Sequence, residues 1–256
     1  KQGKGGGPIT NESAGGENYN TLACMTESGS DANVLWTGSD CGLVHMTRDG
    51  GKTWINVTPA DMKEGLVNSI EVSPHDPAKA YVAFSRYKFN DFTPHIYVTT
   101  DYGKSWTQKV KGLEPEAHVK VVREDPVRKD LLYAGTETGF YISFNGGDDW
   151  QKFQLNLPIV PITDLMVHQG DLLASTQGRA FWILDDLKPL QDYKPEDKSK
   201  KLIVYQPEIP IRFGSDGGGP ARGAVILGTN PPSGAVIYYS LNISDTSEHV
   251  SVEISD

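Results

Sequence analysis

The chain has 256 residues, 38% of them apolar, with 27 glycines, 16 prolines and a formal net charge of −9. That charge argues against a nucleic-acid partner, which would meet a basic face, and no apolar run approaches the ~20 residues of a membrane helix, so no membrane insertion is expected. Regularly spaced apolar runs among so many glycines and prolines suit short strands joined by turns rather than disorder.

Residues 1–18 are Gly, Lys, Asn, Ser and Glu and read as a flexible lead-in. From Tyr19 to Asp186 the text is periodic, in four units at about 19–60, 61–112, 113–157 and 158–186. The first predicts strands at Tyr19–Thr26, Val34–Thr37, Leu43–Met46 and Trp54–Val57. The second predicts Leu66–Val72, Ala80–Phe84, a long loop Ser85–Pro94, His95–Val98 and Trp106–Val110. The third predicts Val119–Val122, Leu131–Ala134, Phe140–Ser143 and Trp150–Gln154. β-branched and aromatic enrichment between Gly, Pro, Asn and Asp carries these readings. The fourth unit predicts Ile162–Val167, Leu172–Ser175 and Ala180–Leu184, and then departs. Leu202–Tyr205 either closes it or begins the next domain. Residues 187–234 read as a linker, charged at first and then rich in Pro and Gly. Ala235–Leu241 and Val250–Ile254 alternate like the opening strands of a β-sandwich.

One pattern organises the units. Thr47-Arg48-Asp49-Gly50-Gly51-Lys52-Thr53-Trp54 returns as Thr99-Thr100-Asp101-Tyr102-Gly103-Lys104-Ser105-Trp106 and as Ser143-Phe144-Asn145-Gly146-Gly147-Asp148-Asp149-Trp150. The tryptophans lie 52 and then 44 residues apart. Four-stranded units at such a period are the sequence form of propeller blades. The expected fold is therefore all-β: a β-propeller of about four blades, part of a larger ring, followed by the start of a β-sandwich. In each box the Asp or Asn accepts backbone N–H groups further on, the glycine takes positive φ, the hydroxyls satisfy leftover backbone groups, and the tryptophan packs on a neighbouring blade. Thr47, Asp49, Gly51, Thr53, Trp54, Thr99, Asp101, Gly103, Ser105, Trp106, Ser143, Asn145, Gly147 and Trp150 are thus read as structural. The third box departs twice, at Asn145 and Asp149.

The box is similar to the Asp-box (BNR) repeat of sialidases, xyloglucan-degrading glycoside hydrolases and sortilin/Vps10 propellers. The wider text, with Gly178-Arg179-Ala180-Phe181-Trp182-Ile183-Leu184-Asp185-Asp186, resembles secreted bacterial sortilin-like BNR-repeat glycosyl hydrolases. The resemblance implies a secreted, periplasmic or cell-surface location. It also implies a longer member, whose remaining blades, in the same protein or another chain, are expected partners. It fixes fold better than function.

If the first strand of each blade lines the axis, the second-to-third and fourth-to-first connections share one face, opposite the boxes. Candidate ligand-binding residues there are Asp40, Arg86, Tyr87, Phe89, Asp91, Glu137, Gln177 and Arg179. Ser39, Asp61, Glu64, Glu114, Glu116 and His118 are further candidates on that face, and the aromatic loop 85–94 suits stacking on sugar or gripping a peptide. A glycosidase needs two carboxylates about 5 Å or about 6–10 Å apart, and no spacing pairs two acids, so catalytic residues stay unassigned. Arg123-Glu124-Asp125 read as closing a first-to-second strand turn. Histidines 45, 75, 95, 118, 168 and 249 show no metal-ligand spacing, so no metal and no cofactor is expected. Cys24 and Cys41 share one unit; a disulfide in an exported protein and two buried thiols are both open. The leading expectation is an extracellular propeller that binds glycan or peptide through its loop face. The alternatives are a secreted glycoside hydrolase and a structural module of a larger assembly.

Overall fold

The computed structural model describes residues 21–207, 209, 234–242, 251 and 253. Expectations for 1–20, for most of 206–234 and for most of 250–254 fall outside these. The chain divides into two compact units, Lys1–Ile183 and Leu184–Asp256.

The first unit holds four antiparallel sheets, each with its strands in chain order. The first has β1 (Leu22–Glu27), β2 (Leu35–Ser39), β3 (Val44–Thr47) and β4 (Ile55–Asn56). The second has β5 (Leu66–Val72), β6 (Ala80–Arg86), β7 (Asp91–Thr99) and β8 (Thr107–Gln108). The third has β9 (Val119–Glu124), β10 (Leu132–Thr136), β11 (Phe140–Ser143) and β12 (Gln151–Lys152). The fourth has three strands, β13 (Ile162–His168), β14 (Asp171–Thr176) and β15 (Phe181–Leu184). The first strands pack in chain order, β1 on β5, β5 on β9 and β9 on β13, as the blades of a propeller do.

The core lies between the sheets. Trp36, Val44 and Met46 of the first meet Val67, Ile70 and Phe84 of the second. Tyr81 and Ile96 of the second meet Val122, Leu132 and Trp150 of the third. The second sheet is therefore buried on both faces, which is why its strands read as nearly continuous apolar runs.

The boxes are equivalent turns. Thr47 Oγ1 donates to Asp49 Oδ1 at 2.7 Å and accepts the Gly51 N–H at 3.1 Å. Asp49 then takes the Thr53 N–H at 2.9 Å and the Thr53 hydroxyl at 2.6 Å. Thr99, Asp101, Gly103 and Ser105 repeat all four bonds. The hydroxyl donors hold the carboxyls of Asp49 and Asp101 down at about 2.

In the third box the roles are exchanged. Asn145 Oδ1 still takes the Asp149 N–H at 3.0 Å, but the Asn145 amide now donates to Asp149 Oδ2 at 3.1 Å. The two departures are one compensated change. Asn145→Asp alone would set two carboxylates face to face and is expected to lower the midpoint of denaturant unfolding. Combined with Asp149→Thr, most of that loss should return; additive costs would show that the positions are uncoupled.

Several strand readings are corrected. The loop expected over 85–94 is a hairpin, because β6 runs on to Arg86, β7 begins at Asp91, and one 3₁₀ turn, Tyr87–Phe89, joins them. The Arg86–Asp91 ion pair at 2.6 Å closes its neck, and the Arg86 guanidinium lies 5.3 Å over Phe89. Pro94 sits where the β6–β7 register slips, so its missing N–H leaves no ladder bond unmade. The fourth strands are shorter than expected, two residues each in β4, β8 and β12. Cys24 and Cys41 are both free thiols, and burial pushes Cys24 up to about 11.

In the second unit, α1 (Lys188–Asp192) and a 3₁₀ turn (Pro195–Ser199) occupy part of the expected linker. β16 (Leu202–Val204) pairs antiparallel with β17 (Tyr239–Leu241). Leu202–Val204 therefore begins a new sheet and does not complete the fourth blade. No helix among the described residues is long and apolar enough to cross a membrane.

Candidate functional site

Every first strand carries the same irregularity. The pairing register slips past Ala23 in β1, Asn68 in β5, Lys120 in β9 and Thr163 in β13. A bulge leaves its residue outside the ladder and re-aims the side chain. Here the slip recurs one or two residues in from the loop-face end of each strand. Asn68, Lys120 and Thr163 all line a cleft of about 540 Å³ walled by β1, β5, β9 and β13.

Deeper in this cleft Arg123 joins three blades. Its Nε donates to the Leu165 carbonyl at 2.9 Å and its Nη2 meets Asp164 Oδ1 at 2.7 Å. Its Nη1 lies 3.6 Å from Glu71 Oε2. Burial pushes the Glu71 carboxyl up to about 7, against the opposing pull of Arg123. The Ser69 hydroxyl is buried in the cleft wall without a partner among the described residues.

At the mouth an aromatic shelf adjoins the cleft. Tyr87, on the β6–β7 tip, stacks on His118 with ring centres 5.4 Å apart and planes 23° from parallel. Phe92 lies 6.3 Å from the same imidazole. His118 Nε2 lies 3.4 Å from Glu137 Oε2, which also pairs with Lys120 at 2.9 Å. Burial, then the Lys120 charge, lowers the pKa of His118 below the ordinary imidazole value. The ring is thus neutral at neutral pH, and Tyr87 and Phe92 stay half-exposed beside a Lys–Glu pair. Lys120 belongs to both, lining the cleft and pairing with Glu137 beside the shelf.

Residues 42–157 match the family model Sortilin-Vps10, described as sortilin, neurotensin receptor 3. This segment resembles part of a sortilin-like propeller. No curated protein sequence matches the chain. Among solved structures, YCF48 bound to D1 peptide aligns at 21% identity and a TM-score of 0.50, over 65% of this chain and 52% of that one. The GH74 xyloglucanase from Xanthomonas campestris aligns at 13% identity and 0.52, over 66% and 29%. An ancestral GH74 enzyme aligns at 18% and 0.51, over 63% and 22%. These likenesses show the fold alone. The chain spans about half of the YCF48 chain and less than a third of each enzyme.

The sortilin-like blades sort the candidate residues. Tyr87 and Glu137 come together through His118, itself one of the further candidates. Arg86, Phe89 and Asp91 are taken up in closing their own hairpin, and Arg86 also donates to the Glu64 carbonyl at 2.9 Å. Asp40 accepts the Thr21 N–H and hydroxyl at 2.9 and 3.0 Å. Ser39 closes its own turn onto Leu43, and Glu114 is held by Lys152 and Thr138. Asp61 and Glu116 are exposed. Gln177 and Arg179 are exposed on the fourth blade, where the Arg179 guanidinium donates to the neighbouring Gly178 carbonyl.

Arg123 is a correction. It does not close the turn with Glu124 and Asp125 but points into the cleft, while those two acids build the turn as expected. The signal missed in the sequence was Lys120: alternation counted from Val119 hides an extra residue, and only the pairing register reveals it. Among the described residues no group of three or more His, Cys, Asp or Glu could hold a metal ion.

Proposed function

We propose that this chain is a recognition module working outside the cytosol. It grips an extended peptide segment on the exposed rings of Tyr87 and Phe92, which the buried His118 supports, with Glu137, Lys120 and the cleft mouth reading its polar groups. The observation that carries this reading is the half-exposed Tyr87 ring, held in place by stacking on the buried His118 imidazole beside a charged pair. Such a ring offers contact area at low ordering cost. The YCF48 structure, with its bound D1 peptide, supports peptide binding as a use of this fold.

A displayed peptide library screened on the whole chain should yield binders. Tyr87→Ala should weaken them about 30-fold, the loss of one interface hot spot, with unchanged melting. Binders indifferent to Tyr87→Ala, or a chain that takes only oligosaccharides from a parallel sugar panel, would sink the peptide reading.

Glycoside hydrolysis is the second reading, because Glu71 holds a proton near neutrality beside Asp164. Against it, both carboxylates contact the one Arg123 guanidinium, which occupies the space a sugar ring would need. Xyloglucan cleavage abolished by Glu71→Gln would favour this second reading.

A further inference from the structure

Charge is unevenly matched in the cleft walled by β1, β5, β9 and β13. Glu71, Lys120, Arg123 and Asp164 are its charged lining side chains. Asp164 answers Arg123 at 2.7 Å, and Glu137 answers Lys120 at 2.9 Å. Glu71 is left over. Its nearest donors among the described residues are the Glu124 N–H at 3.4 Å and Arg123 Nη1 at 3.6 Å, both well beyond a charge-assisted hydrogen bond.

Two more acceptors in the cleft are unused. Ser69 is 9% exposed, and its hydroxyl has no partner among the described residues. A buried polar group left so costs about 1–3 kcal/mol, which a bound donor recovers. Asp164 Oδ1 takes the Arg123 Nη2 and Leu165 N–H bonds, at 2.7 and 2.9 Å, whereas Oδ2 takes none. Met25, Ile70, Leu165 and Met166 add an apolar wall.

We infer that the cleft is a subsite for a primary alkylammonium group, carried into it as a lysine side chain by the peptide segment lying on Tyr87 and Phe92. The ammonium brings three donors for Glu71, Asp164 Oδ2 and the Ser69 hydroxyl. Its aliphatic stem runs along the apolar wall, and needs less breadth than the sugar ring that Arg123 keeps out. A guanidinium would instead set a second broad, planar cation against Arg123. The inference rests on the peptide reading only for the bearer of the ammonium.

Binding at this subsite is linked to a proton. Arg123 and Glu124 of β9, Asp164 of β13 and Tyr81 of β6 face Glu71, and Lys120 and Cys24 share its cleft. Burial holds the Glu71 carboxyl up at about 7. An arriving cation pairs with the ionised form and so expels the proton. Affinity therefore rises with pH through that value and levels off above it.

The test titrates the whole chain, with isotopically labelled methionine methyls, with n-pentylammonium. The Met25 and Met166 resonances should shift saturably, while that of Met46, buried in the core, stays in place. Affinity should be about tenfold weaker at about pH 6 than at about pH 8, following the ionised fraction of Glu71. Glu71→Gln should hold it at the weaker level at both, and Ser69→Ala should weaken it severalfold while keeping the pH dependence. No saturable shift, an affinity flat with pH in the parent, or n-pentanol or pentanoate bound as tightly overturns the inference. Library binders that need Tyr87 yet carry no lysine also overturn it, and leave the peptide reading intact. Pentylammonium bound as stated by a chain whose binders ignore Tyr87 supports the subsite and sinks only that reading.

Discussion

Gly112→Ala is expected to lower the melting temperature by about 10 °C. Gly112 has φ +96, and an alanine Cβ there would lie 2.0 Å from the Trp150 carbonyl oxygen and 3.2 Å from its nitrogen. The neighbouring Lys111 carbonyl accepts the Trp150 N–H at 2.8 Å, so the link between the second and third blades is pinned against the start of β12 and cannot yield without breaking that bond. Left-handed backbone costs a non-glycine residue about 1–2 kcal/mol, and overpacking adds about 1–3 more. A total of about 2–5 kcal/mol gives the stated shift for a domain of this size. Gly178→Ala separates the two terms: it shares the positive φ, at +85, but has nothing within 4 Å, and should cost only about 1–2 kcal/mol. Equal losses at the two sites would refute the steric account.

Glu71→Gln should stabilise the protein in a pH-dependent way. The Glu71 carboxyl is raised from 4.5 in the unfolded chain to about 7 in the fold, first by burial. The folded state therefore holds this proton more tightly than the unfolded one, and stability falls as pH rises from 4.5 to 7, then levels off. The ionised side chain costs up to about 3 kcal/mol above that window. The glutamine variant, which cannot ionise, should match the parent below the window and exceed it at about pH 8 by up to that amount. Denaturant midpoints across this range provide the check, and a variant less stable at about pH 8 would show that the Arg123 contact outweighs burial.

The propeller was legible because the box repeats with its chemistry intact and the strands between are uniformly β-rich. Leu66–Val72 matches β5 to the residue. The site was less legible for definite reasons. The charges and aromatics of 86–92 looked like ligand-binding groups, yet Arg86 and Asp91 pair locally, since a tight hairpin needs its neck closed. His118 stood among the sequence candidates, but its role beneath Tyr87 depends on the β6–β7 tip of one blade reaching the start of the next, which the sequence does not display. The bulges at Asn68, Lys120 and Thr163 have no composition of their own, and the partner strand alone exposes them. Asn145 and Asp149 looked like two separate departures until the amide was seen to donate where a hydroxyl does elsewhere.

The indole N–H groups of Trp106 and Trp150 donate to main-chain carbonyls of the blade before, those of Val57 and Lys109, an apolar and a charged residue. Every residue owns such a carbonyl, so the joint between blades does not read the identity of the side chain it lands on. A gene segment encoding one blade could therefore be duplicated, deleted or shuffled next to any other without a matching change in its neighbour. The loops of the opposite rim, free of that joint, could then diverge blade by blade.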